Sequence, residues 1–196
     1  MSEGRQPFVV VSLGTDHHKF DRLIDWIDQW ILDRKEPVDC LVQRGFSKEP
    51  RVARSVERMP REELLELYRR SDVVVVQGGP GSILDAREVG RIPIAIPRRA
   101  DLDEVVDGHQ RLFTSLMVEQ GDAIMVEDYP QFITQLEQAL AAPDTVATSP
   151  RIARPDLATD KLEAALLAGI ADHDKGRVMR RINQLLHARE SHTHGS

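Results

Sequence analysis

The stretch Ser71-Asp72-Val73-Val74-Val75-Val76-Gln77-Gly78-Gly79-Pro80-Gly81-Ser82-Ile83-Leu84-Asp85 constrains the fold more than any other. Four consecutive valines without alternation read as a short strand buried on both faces, the habit of parallel sheets. The glycines that follow permit a tight turn and close backbone approach. Ser82, three residues ahead of Asp85, has the spacing of a capping box with Asp in the usual Glu position, which places a helix start at Ser82. Strand, glycine-rich turn and helix N-terminus bring free N–H groups and a positive dipole end to one point, a seat for a phosphate or diphosphate. The spacing is neither GxGxxG nor GxxxxGK[ST], so neither the dinucleotide nor the P-loop reading applies.

The remaining chain alternates strands and helices. Phe8 to Leu13 is an apolar strand; Phe20, Leu23, Ile24, Ile27, Trp30 and Ile31 then recur at helical spacing until Pro37. Val38 to Gln43 and residues 52–57 read as strands, and a helix with Glu62 and Glu63 in its first turn begins near Pro60. Gly90 fits the left-handed position that closes the helix begun at Ser82. Ile92 to Ile96 reads as a strand, His109 to Gln120 as a helix, Ala123 to Val126 as an edge strand and Tyr129 to Ala142 as a helix. The implied fold class is α/β: a Rossmann-like parallel sheet with helices on both faces. Ligands of such sheets sit at the carboxyl ends of the strands, here the loops Gly14–His18, Arg44–Glu49, Gln77–Ser82 and Pro97–Gln110.

Composition divides the chain into an α/β domain over 1–142, a Pro/Ala/Thr/Ser linker over 143–155, a helical extension over 156–190 and a polar tail, expected to be disordered, over 191–196. The net charge of −6 argues against a general nucleic-acid binder. The pairs Arg69-Arg70, Arg98-Arg99 and Arg180-Arg181 read as solvated faces or helix ends. Cys40 stands alone, which rules out an internal disulfide or a thiolate-rich metal site, and its apolar surroundings imply a buried thiol. No apolar run is long enough to span a bilayer, and Met1 to Gln6 lacks a signal-peptide core, so a cytoplasmic protein is expected.

With the loops in hand, Val11-Ser12-Leu13-Gly14-Thr15-Asp16-His17-His18-Lys19-Phe20-Asp21-Arg22-Leu23 resembles the opening of the small C-terminal-type domains of family 28 glycosyltransferases. These include the soluble donor-binding subunits of two-subunit enzymes, such as the N-acetylglucosaminyltransferase acting on dolichol-diphosphate-GlcNAc and bacterial exopolysaccharide glycosyltransferases. Gln43-Arg44-Gly45, Gln77 to Asp85 with Gly90, and Pro97-Arg98-Arg99 through Asp107-Gly108-His109-Gln110 agree in order and spacing. The resemblance covers about residues 7 to 128.

It implies the donor half of a GT-B enzyme, binding a UDP-sugar without metal or other cofactor. Gly14, Thr15, Gln77, Gly78, Gly79, Gly81 and Ser82 would receive the diphosphate, with Gln77 where many relatives carry His. Asp85 would accept from the ribose hydroxyls or else cap its own helix. Arg58 and Met59 fall in the base-proximal loop, and His109 with Gln110 matches the sugar-facing HQ pair. The implied reaction is an inverting transfer to a lipid-linked or polysaccharide-precursor acceptor, stabilised by helix-terminal N–H groups. Asp16 and His17, beside His18, are the candidates for a local base. The acceptor half would come from a membrane-anchored partner subunit or a homo-oligomer, leaving this chain peripheral to the membrane. Two other readings stand beside this one. One is a nucleotide phosphoribohydrolase of the lysine-decarboxylase-like group, whose PGGxGTxxE motif Gly78 to Asp85 resembles. The other is a non-catalytic nucleotide-sugar-binding subunit.

Overall fold

The computed structural model describes residues 5–105 and 109–151. Six parallel strands form one sheet: β1 (Phe8–Ser12), β2 (Asp39–Gln43), β3 (Arg54–Val56), β4 (Val73–Gln77), β5 (Ile94–Ile96) and β6 (Ile124–Met125), in the spatial order β3-β2-β1-β4-β5-β6. The crossovers are α1 (Asp21–Asp33), α2 (Arg61–Arg70), α3 (Pro80–Glu88) and α4 (His109–Glu119); α5 (Tyr129–Ala141) follows β6. The Rossmann-like sheet expected from the sequence is present, with β6 on one edge, as expected, and β3 on the other. The expected helical extension and tail, 156–196, lie outside the described residues.

Valine runs form the centre because a strand flanked on both sides by neighbours, with helices on both faces, must be apolar at every position. β4 pairs with β1 (Val9 with Val73, Val11 with Val75) and with β5 (Val75 with Ile94). Val9, Val10, Val11, Val73, Val74, Val75 and Val76 are essentially inaccessible. On one face Val9, Val11, Val73 and Val75 pack with Leu23, Ile24, Ile27 and Trp30 of α1 and with Phe132 and Leu136 of α5. The opposite face meets α2 and α3, which bury Leu64, Leu65, Tyr68, Ile83 and Ala86. Cys40 is buried under its pairing with Val9, and burial pushes its thiol pKa up to about 12.

Three boundaries differ from the sequence reading for identifiable reasons. α3 begins at Pro80 with Gly79 as its N-cap, so Ser82 sits in the first turn and caps nothing. Proline at the first helical position has a preset φ and no N–H to orphan, and it outweighs the Ser-x-x-Asp pattern. β5 begins at Ile94, because the Ile92 N–H goes to Val146 O at 2.9 Å. Finally, residues 143–151 of the expected linker lie against the sheet domain. A 3-10 turn (Pro143–Val146) buries Val146; Ala147 bridges Arg91, and Thr148 N–H bonds Gly90 O at 2.9 Å. Arg151 donates its backbone N–H to Arg87 O, and its guanidinium pairs with Asp122, the buried carboxylate that also pairs with Arg87 at 2.8 Å.

Gly90 makes this docking possible. Its φ is +79°, the left-handed closure expected after α3, and an added Cβ would lie 2.4 Å from Thr148 O. Gly90→Ala is therefore expected to lower the unfolding free energy by about 1–2 kcal/mol from backbone strain, with the contact adding to it. Urea denaturation measures the loss, and faster hydrogen exchange at the Thr148 amide reports the segment lifting.

Candidate functional site

The strand order reverses between β1 and β4, and the loops leaving their carboxyl ends face one crevice. Gly14 leaves β1 with φ +76°. The α3 N-terminus lies across from it, where Gly79, Gly81 and Ser82 N–H groups have no backbone acceptor among the described residues. Gly81 faces open space, with nothing within 4 Å of an added Cβ. Gly78 is different: its N–H bonds Ile96 O at 3.0 Å and its O accepts from Thr114 Oγ1 at 3.1 Å. It shapes the turn and has no N–H to give an anion. Thr15 is exposed beside Gly14.

Gln77 occupies the gap between the two loops. Its Nε2 lies 2.5 Å from where a Gly14 Cβ would stand and 2.7 Å from where a Gly79 Cβ would stand. Any side chain at either glycine would displace the amide. Its Oε1 accepts from Arg98 Nε at 3.1 Å and from Gln110 Nε2 at 3.2 Å. Gln110, expected to face the sugar, thus braces Gln77. His109 opens α4, and Asp107-Gly108 of the same motif lie outside the described residues.

Arg98, read from sequence as part of a solvated pair, is only 3% exposed. Its guanidinium bonds Leu13 O at 2.9 Å, His18 O at 2.8 Å and Glu104 O at 2.9 Å, and lies 4.9 Å from the Phe20 ring centre. Burial lowers its pKa, against the opposing pull of Asp16 and Glu104. The same loop is fastened to α1 by the Arg22–Glu104 pair, 2.9 and 2.8 Å, with Arg99 N–H on the same carboxylate. Pro97-Arg98-Arg99 belongs to one of the stretches that carry the family resemblance, but nothing in that stretch marks Arg98, rather than Arg99, as the buried one.

The candidate base group folds as an Asx turn. Asp16 Oδ1 accepts the His18 N–H at 2.9 Å and lies 2.7 Å from His18 Nδ1. His17 is 77% exposed, with Nδ1 3.5 Å from the same oxygen. The ring held by Asp16 is therefore His18, not the His17 singled out from the sequence. Asp16, His17 and His18 are also close enough for their donor atoms to share an ion, but the turn itself brings them together.

The remaining candidates are Asp85 on α3 and the pair Arg58 and Met59 ahead of α2. Asp85 accepts from Arg61 at 2.9 and 3.1 Å; it does not cap α3. Met59 N–H bonds Gln43 Oε1 at 3.3 Å, and buried Gln43 also reaches Ser12 Oγ at 3.2 Å. Arg58 stacks 4.7 Å above the half-exposed Phe46 ring.

The family described as Glycosyltransferase family 28 C-terminal domain matches residues 35–171. The chain belongs to this family. The match begins after β1, so Gly14 and Asp16 lie ahead of it, and it runs past the stretch around 128 where the sequence resemblance ends. No curated protein matches the chain. Among solved structures, the family 28 domain is similar to MurG of Acinetobacter baumannii, with TM-score 0.53, 13% identity, 74% of this chain and 44% of that chain covered. It is also similar to CalG4, the calicheamicin glycosyltransferase, with TM-score 0.51, 17% identity, 84% and 43% covered. SnogD from Streptomyces nogalater gives TM-score 0.52, 17% identity, 73% and 38% covered. All three are GT-B glycosyltransferases, and the domain spans less than half the length of each. The shared fold is that of one GT-B half.

Asp16 carries a pH prediction. Burial raises its pKa, but the His18 N–H, the His18 ring and the Arg98 charge outweigh it and hold the carboxyl below its ordinary value. A lowered folded pKa contributes stability above the ordinary carboxylate pKa of about 4, lost as pH falls through the folded value. Urea midpoints are expected to favour wild type over Asp16→Asn near neutral pH and to converge once Asp16 is protonated.

Proposed function

We propose that this glycosyltransferase domain binds a UDP-sugar and transfers its hexose with inversion. The observation that carries the reading is the cradle of N–H groups at Gly79, Gly81 and Ser82, which have no acceptor among the described residues, facing Gly14 and Gln77 in a family 28 domain. Fixed N–H dipoles at a helix start stabilise a leaving diphosphate without a metal ion and need no reorganisation as charge develops. The base and ribose would lie toward Met59, Arg58 and Asp85, where Asp85 can accept from a hydroxyl only by sharing with Arg61. The sugar would lie toward His109.

The acceptor, a lipid-linked or polysaccharide-precursor hydroxyl, would be held by a separate partner subunit or a second copy, because the described residues form one GT-B half. A partner of that kind would place the domain at a membrane surface; no helix among the described residues is long and apolar enough to cross one. In the tautomer whose Nδ1–H donates to Asp16, the His18 Nε2 would be able to take the acceptor's proton.

Calorimetric titration with UDP, UDP-GlcNAc, UDP-glucuronate and AMP tests the reading. UDP and at least one UDP-sugar are expected to bind and AMP not; AMP binding without UDP binding favours the phosphoribohydrolase reading. UDP-sugar binding without transfer in the presence of the partner marks a non-catalytic subunit. Because Gly81 faces open space, Gly81→Asp is expected to leave the melting temperature unchanged while lowering UDP affinity at least about tenfold through charge repulsion.

A further inference from the structure

A side-chain amide has a donor end and an acceptor end, and the end that faces an anion decides whether the residue attracts or repels it. At Gln77 the choice is set by Arg98. The Arg98 backbone N–H, which can only donate, bonds Gln110 Oε1 at 3.3 Å and so turns Gln110 Nε2 toward Gln77. The Arg98 Nε–H, which also can only donate, bonds Gln77 Oε1 at 3.1 Å. Both contacts demand oxygen at that position. A flipped Gln77 would set its NH2 against two donors. Its Nε2 is therefore directed between Gly14 and Gly79, and it donates to no other described residue.

We infer that Arg98 is a positioning residue that fixes the amide polarity of Gln77, so that Gln77 Nε2 donates to the diphosphate of a bound nucleoside diphosphate. The inference rests on the diphosphate reading of the cradle. Arg98 itself is held by the carbonyls of Leu13, His18 and Glu104 and does not need to touch the ligand. It polarises the amide it points at, a neutral donor backed by a buried cation.

The test is the ratio of UDP affinity to uridine affinity, measured by calorimetry on the full chain, which isolates the diphosphate. Gln77→Met is expected to lower the ratio about tenfold, the scale of one hydrogen bond to a charged group. Arg98→Met is expected to lower it comparably, and the double variant no further than the worse single variant, because Arg98 acts through Gln77. A purely structural Arg98 would weaken both ligands alike. An unchanged ratio in Arg98→Met, or effects that add in the double variant, overturns the proposal while UDP selectivity in the wild type keeps the diphosphate reading standing. Wild type that binds UDP no better than uridine fails that reading and the proposal together.

Should Arg98→Met not fold, nitrogen-15 NMR on the wild type decides. UDP is expected to shift both the Gln77 side-chain amide and the Arg98 Nε–H signal, and uridine neither. An Arg98 Nε–H signal unmoved at UDP saturation overturns the proposal.

Discussion

A guanidinium taken out of water must find acceptors for its donors, and at Arg98 those acceptors come from three separate segments of the chain. Leu13 and His18 belong to the loop after β1, Gln77 ends β4, and Glu104 lies in the loop after β5. Leaving an ion buried costs several kcal/mol, and hydrogen bonds to a charged group each return roughly 1.5–3 kcal/mol. The balance holds only while all three segments keep their places. Loops that elsewhere would be the most mobile part of an α/β domain are thereby tied to one another at the mouth of the crevice. The Arg22–Glu104 pair adds a tie from the loop after β5 to the start of α1.

The sheet and the site obey one geometric rule. Parallel strands bring their carboxyl ends to the same edge, and the reversal of strand order between β1 and β4 opens a crevice there. α3 then aims its N-terminal N–H groups into the crevice. At its other end, the Gly90 closure and the Arg87–Asp122–Arg151 group hold it in place. The helix whose N-terminus opens on the crevice is thus fixed at the end away from it, so the direction of its dipole axis is set by the protein's own contacts.

The strands were legible because valine runs admit little besides a doubly covered parallel strand, and the four loops followed from that. Details decided by partners far along the chain were not. Arg98 looks like Arg99 in sequence, yet Arg99 is half-exposed and Arg98 is buried, because only Arg98 meets carbonyls about 80 residues away. The helix start was a contest between two local rules, Pro80 at the first position against Ser82 with Asp85, and the covalent constraint won over the hydrogen-bonding preference. Asp85 went to Arg61, 24 residues earlier, a pairing no local pattern encodes. The docked stretch 143–151 has the composition of a linker, and its one buried side chain, Val146, gives little periodic signal.

Cys40 lies buried beneath the pairing of β2 with β1. Only a thiolate attacks a disulfide or an electrophile, and this thiol is both covered by its neighbours and held protonated far above neutral pH. The chain has no second cysteine. While β1 and β2 stay paired, the folded domain is inert to thiol exchange. The rate at which Cys40 reacts therefore measures how often the sheet itself comes apart.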